Sequence, residues 1–164
     1  MKLGGKTVVA MADMRCVKYP GVLITFGLGS CVAIALYDST TKTIGLAHCM
    51  LPTGSISTGV SAAKFVDTAV PQLVDDMRRL GVKRSSLVAK LAGGAQMHKL
   101  ISQNETMRIG ARNIKAAHEA LAGLRIPVIG EDVGGTCGRS AELHSDSGSL
   151  IVKTAGKAAD KKTI

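Results

Sequence analysis

The feature that most constrains the fold of this chain is a stretch that is apolar on both faces of a strand. In residues 32–37, Val, Ile and Leu alternate with Ala, Ala and Tyr, and the Asp-Ser-Thr-Thr-Lys of residues 38–42 makes a turn. Residues 44–49 return as a second apolar run. Strands that are apolar on both faces are covered on both sides in folded proteins. The sequence therefore predicts a hairpin that is largely buried on both faces.

A glycine-rich turn leads into this hairpin and ends on a cysteine. The turn comprises residues 25–31, Thr-Phe-Gly-Leu-Gly-Ser-Cys, and His48 lies near the end of the second strand. Antiparallel pairing would bring Cys31 and His48 to the same edge. A thiol with an imidazole nearby is the minimum set for a cysteine nucleophile and its base. Backbone N–H groups of turn residues such as Gly29 and Ser30 could bind the oxyanion of an intermediate.

Each of these residues also has a purely structural interpretation. A free cysteine such as Cys31 is most often a small buried hydrophobic residue, and a histidine within an apolar run is most often a core residue. Thr25 could orient the imidazole of His48, although threonine is common in strands for other reasons. The residues alone leave these alternatives open.

The sequence does not support several other kinds of site. The turn lacks the lysine of a phosphate-binding loop, and the glycine spacings of dinucleotide-binding and nucleophile-elbow motifs are absent. Cys49 directly follows His48 and would face the opposite side of a strand, which weakens any zinc site that uses both. Three further histidines are predicted to be surface residues rather than ligands: His98, His118 and His144. We expect neither a metal nor a cofactor.

Length, charge and composition narrow the class of protein. The chain has 164 residues, a formal charge of +9, two Phe, two Tyr and no Trp. We expect one domain over residues 1–156 and a basic, frayed tail over residues 157–164. Because the basic residues are dispersed and base-stacking aromatic residues are scarce, nucleic acid is not an expected partner. Scattered cysteines and the absence of a run of about 18 apolar residues predict a cytoplasmic protein with free thiols and no membrane insertion.

The rest of the chain alternates between strand and helix patterns. Helical patterns cover residues 63–80, where Pro71 would kink the helix or divide it in two, and residues 114–124. Short apolar runs predict further strands, near residues 8–11, 23–26, 86–91, 127–130 and 150–152. Residues 134–139 are predicted to form a tight loop. The predicted fold class is α+β.

Several longer segments resemble one known family in order and over most of the chain. These segments are residues 25–33 (TFGLGSCVA), 36–38 (LYD), 45–52 (GLAHCMLP), 93–97 (GGAQM), 109–113 (IGARN) and 134–139 (GGTCGR). Together they closely resemble the CheD family of chemoreceptor glutamine deamidases. A local departure is Glu142-Leu143-His144, where the family tends to carry an aromatic or apolar residue.

The resemblance implies both the site residues and the reaction. The family nucleophile is the Cys of the G-S-C turn, the base is the His of the following strand, and the third member is the Thr before the turn. These positions are Cys31, His48 and Thr25. The implied reaction converts receptor glutamine side chains to glutamate through a thioester, with release of ammonia. His48 would either take the Cys31 proton during attack or already hold it in a thiolate–imidazolium pair.

The resemblance also implies a fold and partners. The expected fold has mixed β-sheets with helices packed outside, a cysteine-hydrolase arrangement shared with the cytotoxic necrotizing factor toxins. The expected partners are the cytoplasmic helices of methyl-accepting chemotaxis receptors and, for some members, a CheC-type phosphatase. Two other functions stay open, namely a non-catalytic adaptor that binds the receptor and stimulates that phosphatase, and a receptor glutamyl methylesterase.

Overall fold

The predicted hairpin lies between two other layers of the molecule in the computed structural model, which describes residues 1–3, 5–97, 108–156 and 160–164. These residues form two mixed β-sheets and two α-helices, which confirms the α+β class. The helices are α1 (Val66–Arg79) and α2 (Ile109–Gly123). The strands are β1 (Lys2–Leu3), β2 (Lys6–Val8), β3 (Met14–Lys18), β4 (Val22–Leu28), β5 (Val32–Asp38), β6 (Thr43–Cys49), β7 (Leu87–Gly93), β8 (Val128–Val133), β9 (Arg139–His144), β10 (Leu150–Thr154) and β11 (Lys161–Thr163).

The hairpin forms the centre of the five-stranded sheet, whose order is β3-β6-β5-β7-β8. β5 pairs antiparallel with β6 on one side and with β7 on the other, while β7 and β8 run parallel. The second sheet has six strands in the order β1-β2-β4-β9-β10-β11. The turn that ends on Cys31 connects β4 of this sheet to β5 of the first. One short connection therefore links the two sheets at the predicted site.

The two faces of β5 belong to two different cores, as its composition predicts. Val32, Ile34 and Leu36 pack in the core beneath α1 and α2, whereas Ala33 and Ala35 pack in the core between the sheets. Large residues fill the wide space beneath the helices, and alanines allow the second sheet to approach closely. The helices thus lie outside a pair of stacked sheets.

Helix α1 packs directly on the strand that carries His48. A Cβ atom at Gly45 of β6 would lie 2.8 Å from the Met77 sulfur and 3.0 Å from a Leu73 methyl group. Only glycine therefore allows this close approach of helix to strand. Pro71 lies inside α1, which is one helix rather than two. Gly81, with φ at +95°, ends the helical segment in the left-handed conformation that its type predicts.

The end of the chain differs from the frayed tail that the sequence predicts. Residues 161–163 form β11, which pairs antiparallel with β10. Ile164 exchanges two backbone hydrogen bonds of 2.9 Å with Leu150, and its carbonyl accepts a bond of 2.8 Å from the Lys90 amine. The frayed-tail prediction is wrong for residues 160–164, because lysine composition indicates solvent exposure but not whether the backbone is paired. Residues 157–159 lie outside the described part of the chain.

Candidate active site

The Cys31 turn and His48 meet at one end of the β5–β6 hairpin. His48 lies opposite Ala33 in the antiparallel register, and Cys31 precedes Ala33 by two residues. Cys31 and His48 are therefore diagonal neighbours on the same face of the sheet. Such neighbours lie roughly 7–8 Å apart between backbones, within reach of long side chains. This face is the one that looks toward the second sheet, where β4 carries Thr25.

Thr25 and His48 form a buried hydrogen bond between the two sheets. Both side chains are fully buried, and Thr25 Oγ1 lies 2.8 Å from His48 Nδ1. The same hydroxyl donates its proton to the Val9 carbonyl over 2.8 Å. A hydroxyl has one proton to donate, so toward His48 it acts as an acceptor. The hydrogen-bond network therefore assigns the imidazole proton to Nδ1 and leaves a lone pair on Nε2.

The other imidazole nitrogen is buried and unpaired. His48 Nε2 has no hydrogen-bond partner among the described residues, and this includes the Cys31 thiol. Cys31 itself is 8% exposed. The structure thus joins Thr25 to His48 directly and places Cys31 nearby on the same face, without a hydrogen bond between thiol and imidazole. In free enzymes such catalytic contacts are often long and tighten only when substrate binds.

Burial shifts the pKa values of the thiol and the imidazole in opposite directions. Burial raises the pKa of Cys31, and the residue's own backbone N–H offsets part of that rise. Burial also lowers the pKa of His48. Both shifts disfavour charge, so a neutral thiol and a neutral imidazole are favoured at neutral pH over the thiolate–imidazolium pair.

Cys49 is separated from this site, as its position in the sequence predicts. It follows His48 on β6 and packs in the opposite core, beneath the helices. Its side chain is fully buried, and burial raises the pKa of its thiol. Among the described residues no group of three or more His, Cys, Asp and Glu side chains could hold a metal ion.

The other histidines are distributed as follows. His118 on α2 is exposed and lies 2.8 Å from the Glu131 carboxylate. His144 is partly buried and lies 2.8 Å from Glu142, which also pairs with Lys6. His98 is outside the described residues. Neither His118 nor His144 is near the Cys31 turn.

Asn113 is a site residue that reasoning on individual residues does not single out. Its side chain is fully buried, and Nδ2 donates to the Ser30 carbonyl over 2.8 Å and to the Met50 carbonyl over 3.0 Å. One amide thus connects the residue before Cys31 to the segment that follows His48. The only signal in the sequence is the family-like segment 109–113, which ends on this asparagine.

A cleft of about 390 Å³ opens beside the Cys31 turn. Its floor includes Gly27 and Gly29, and the exposed side chain of Met97 lies beside Gly29. The opposite wall comes from the neighbouring strands of the six-stranded sheet and includes Arg139, Ser140, Lys153 and Thr154. Two larger depressions, at the end of α1 and along β8, contain none of the site residues.

Arg139 orders the loop at the edge of this cleft. Its guanidinium donates to the Gly134 carbonyl over 2.8 Å and pairs with Asp132 over 3.2 Å. The loop in turn accepts a hydrogen bond of 2.8 Å from the Gln96 backbone at Gly135. A partly buried arginine with several carbonyl partners fixes a loop more firmly than backbone turns alone.

No helix in the described part of the chain is both long and apolar enough to cross a membrane.

Comparison with known proteins identifies the family. The family model described as CheD chemotactic sensory transduction matches residues 50–154. A protein of Lachnoclostridium phytofermentans, named probable chemoreceptor glutamine deamidase CheD, is 46% identical over 94% of this chain and 97% of its own. The chemoreceptor glutamine deamidase CheD of Bacillus subtilis is 42% identical over 89% of each chain.

Among solved structures, the hypothetical protein YfiH of Bacillus licheniformis aligns over 73% of this chain and 50% of its own, with 16% identity and a TM-score of 0.49. The alignments with these two sequence relatives cover most of the length of each relative. The sequence identity exceeds the level at which a shared family is established. The chain belongs to the CheD family.

Proposed function

We propose that this chain is a protein-glutamine deamidase that converts specific glutamine side chains of chemoreceptors to glutamate. Two of its relatives are named chemoreceptor glutamine deamidase, one of them as probable, and the similarity covers nearly their full length. The observation that carries the proposal is the state of His48. Thr25 fixes its proton on Nδ1, and Nε2 is unpaired in a residue on the same sheet face as Cys31. A buried imidazole with one nitrogen oriented and the other free is arranged as a general base.

The first half of the reaction acylates the thiol. His48 Nε2 accepts the Cys31 proton as sulfur attacks the side-chain carbonyl carbon of the glutamine, and the carbonyl oxygen becomes an oxyanion. Backbone N–H groups of the turn, including that of Cys31, receive this charge. The imidazolium then gives its proton to the nitrogen as the C–N bond breaks. Ammonia leaves and a thioester remains on Cys31.

The second half returns the enzyme to its starting state. The neutral His48 removes a proton from water, which attacks the thioester carbonyl. The C–S bond breaks, the thiolate regains a proton from the imidazolium, and the product is a glutamate side chain. The net reaction consumes one water and releases one ammonia. No step requires a cofactor.

The chemistry of the cleft fits a helical, acidic partner. It opens at the turn that precedes Cys31, Met97 and Gly29 provide apolar surface, and Arg139 and Lys153 also line it. An overall charge of +9 would accelerate approach to an acidic receptor surface. We infer that the partner is the cytoplasmic helical part of a chemoreceptor, and that the protein acts in the cytoplasm. Binding of a CheC-type phosphatase stays a prediction from the family resemblance.

The decisive experiment measures ammonia and methanol together. A purified, partly methylated cytoplasmic fragment of a chemoreceptor is incubated with wild type, Cys31→Ala, His48→Ala and the control Cys49→Ala. We expect ammonia from wild type and Cys49→Ala, and a loss of about 10⁴-fold or more in the two site variants with the fold intact.

The other outcomes identify the other functions. Methanol without ammonia, lost in Cys31→Ala, would show a methylesterase. Neither product, together with receptor binding that survives Cys31→Ala, would show an adaptor. Full ammonia release by Cys31→Ala would overturn the proposed chemistry.

A further inference from the structure

Three consecutive carbonyl groups of the turn before β5 accept hydrogen bonds, two from the segment after β7 and one from α2. The carbonyls of Gly29 and Cys31 accept from backbone N–H groups that follow β7, and the carbonyl between them accepts from a side chain. The three bonds are Ala95 N–H to Gly29 at 2.8 Å, Asn113 Nδ2 to Ser30 at 2.8 Å, and Gly94 N–H to Cys31 at 2.7 Å. The turn is therefore anchored through its acceptors.

The anchoring of the Ser30 carbonyl determines where the N–H of Cys31 points. Both groups belong to one peptide plane, and in a trans peptide they point in opposite directions. Because the Ser30 carbonyl points toward Asn113 on α2, the Cys31 N–H is directed away from α2. In the described part of the chain, this N–H donates to no carbonyl of another residue.

Asn113 is itself held in place by a close contact between backbones. A Cβ atom at Gly110, in the first turn of α2, would lie 2.5 Å from the Gly94 carbonyl oxygen and 2.7 Å from that of Ala95. Helix α2 therefore rests directly on the segment that anchors the Cys31 turn. This contact leaves the Asn113 amide little freedom to move relative to Ser30.

Asn113 forms its hydrogen bonds through its amide nitrogen and not through its amide oxygen. Nδ2 serves both Ser30 and Met50, whereas Oδ1 is buried without a partner among the described residues. Burying an unpaired amide oxygen is unfavourable, and a leucine would fill a similar volume without that cost. A residue with only a packing role has no need of this amide.

We propose that Asn113 is a positioning residue that orients the Ser30–Cys31 peptide so that the Cys31 N–H receives the oxyanion of the tetrahedral intermediate. The inference rests on the proposed deamidase function and assigns a part of that site. Asn113 touches no reacting atom and acts through the peptide that it holds. Its second bond, to Met50, keeps the strand of His48 in register with that peptide.

The test distinguishes a loss of oxyanion stabilisation from a loss of thiol reactivity. Asn113→Leu keeps the volume and removes both donors, and Asn113→Ala is made in parallel in case the leucine variant does not fold. Deamidation of a chemoreceptor cytoplasmic fragment is compared with alkylation of Cys31 by iodoacetamide, followed by peptide mapping across a pH series. Alkylation requires the thiolate but forms no oxyanion. We expect kcat to fall about 10²-fold, as when an oxyanion donor is lost, with KM nearly unchanged.

The rate of Cys31 alkylation should stay within about three-fold of the wild-type rate, and its pH dependence should not change. A general loosening of the site would alter both the rate and the pH dependence. The matched control is Leu121→Ala, a fully buried α2 residue outside the turn contacts, which should lower the Tm and leave kcat unchanged. The inference is overturned if a folded Asn113 variant retains kcat, if alkylation falls together with kcat, or if Leu121→Ala loses kcat equally. Full turnover by Cys31→Ala would instead overturn the proposed function.

Discussion

The two ends of the β5–β6 hairpin bury polar side chains in opposite ways. At the turn between the strands, Asp38 and Thr43 are almost fully buried. At the other end, Thr25, His48 and Asn113 are fully buried. One buried polar group lies at each end of the hairpin, and the group at the site end also includes residues of β4 and α2. The two groups differ in how completely their hydrogen bonds are satisfied.

At the turn end, every acceptor of the carboxylate is used. Asp38 Oδ1 accepts from the Thr40 backbone at 3.2 Å, and Oδ2 accepts from the backbone and the hydroxyl of Thr41. That hydroxyl also lies 2.8 Å from Thr43 Oγ1. Burial by itself raises the pKa of Asp38, but hydrogen bonds from Thr41, Ser86 and Thr40 outweigh it and lower the pKa. This cluster stabilises a turn, and both carboxylate oxygens of Asp38 accept hydrogen bonds.

At the site end, His48 Nε2 and Asn113 Oδ1 are buried without a partner among the described residues, and Arg139 Nε, at the edge of the cleft, is a third such atom. Leaving a buried polar atom unpaired costs about 1–3 kcal/mol. The hairpin therefore accepts a loss of stability at one end that it avoids at the other. The comparison teaches that the two ends differ in whether their buried polar atoms have hydrogen-bond partners, rather than in whether polar residues are buried.

The largest expected effect comes from Thr25→Val, which removes the hydroxyl but keeps the shape. The imidazole of His48 then loses the acceptor that fixes its proton on Nδ1, so the proton can move to Nε2 and block the base. We expect kcat for ammonia release to fall about 10²-fold, less than for a carboxylate in this role. The measurement is steady-state deamidation of a receptor fragment.

Thr43→Val is the matched control, because it makes the same substitution at a fully buried threonine on the other end of β6. It should leave kcat unchanged. Equal turnover in both valine variants would remove the distinction between the two ends.

Asp38→Asn tests the turn end. The amide places a donor against groups that already donate, so charged hydrogen bonds to Thr40 and Thr41 are lost. We expect the free energy of unfolding to fall by about 2 kcal/mol, measured by urea titration, with kcat of the folded enzyme unchanged. A large fall in kcat at full occupancy of the folded state would show that the two ends are coupled.

The smallest effect is the dependence of stability on pH that His48 causes. Since burial lowers its pKa, the folded state binds fewer protons than the unfolded state in the pH range between the folded pKa and about pH 6.5. Stability is therefore complete above that pH and is lost as the pH falls toward the folded pKa. We expect a slope of at most about 1.4 kcal/mol per pH unit from this residue.

The measurement is urea unfolding at a series of pH values from neutral to mildly acidic. His48→Leu removes the titrating group and should flatten that part of the profile. An identical slope in wild type and His48→Leu would show that other groups cause it.

The sequence is sufficient to predict the hairpin and the separation of Cys49 from His48. Alternation in residues 32–37 specifies a strand buried on both sides, and the period of two places Cys49 on the opposite face from His48. The sequence predicts only a shared edge for Cys31 and His48, and the pairing of Ala33 with His48 in the structure puts them on one face. The first two results depend on local periodicity, which a single sequence records directly.

Contacts between distant segments could not be predicted in the same way. The bond between Thr25 and His48 joins two different sheets, and its role follows only from family resemblance. The bonds of Asn113 span 83 and 63 positions in the chain. Strand β9 is missed as well, because it has only two fully apolar positions, Ala141 and Leu143, among polar residues. Its place inside a sheet is determined by its neighbours β4 and β10.

The contact between α1 and Gly45 makes the position of β6 depend on side chains of the helix. With no side chain between helix and strand, the height of β6 above the helix layer is set by the bulk of Leu73 and Met77. Neither residue contacts the site, yet a change in their volume displaces the strand that carries His48. Substitutions that change the volume of Leu73 or Met77 are therefore expected to shift His48 relative to Cys31 without altering any residue of the cleft.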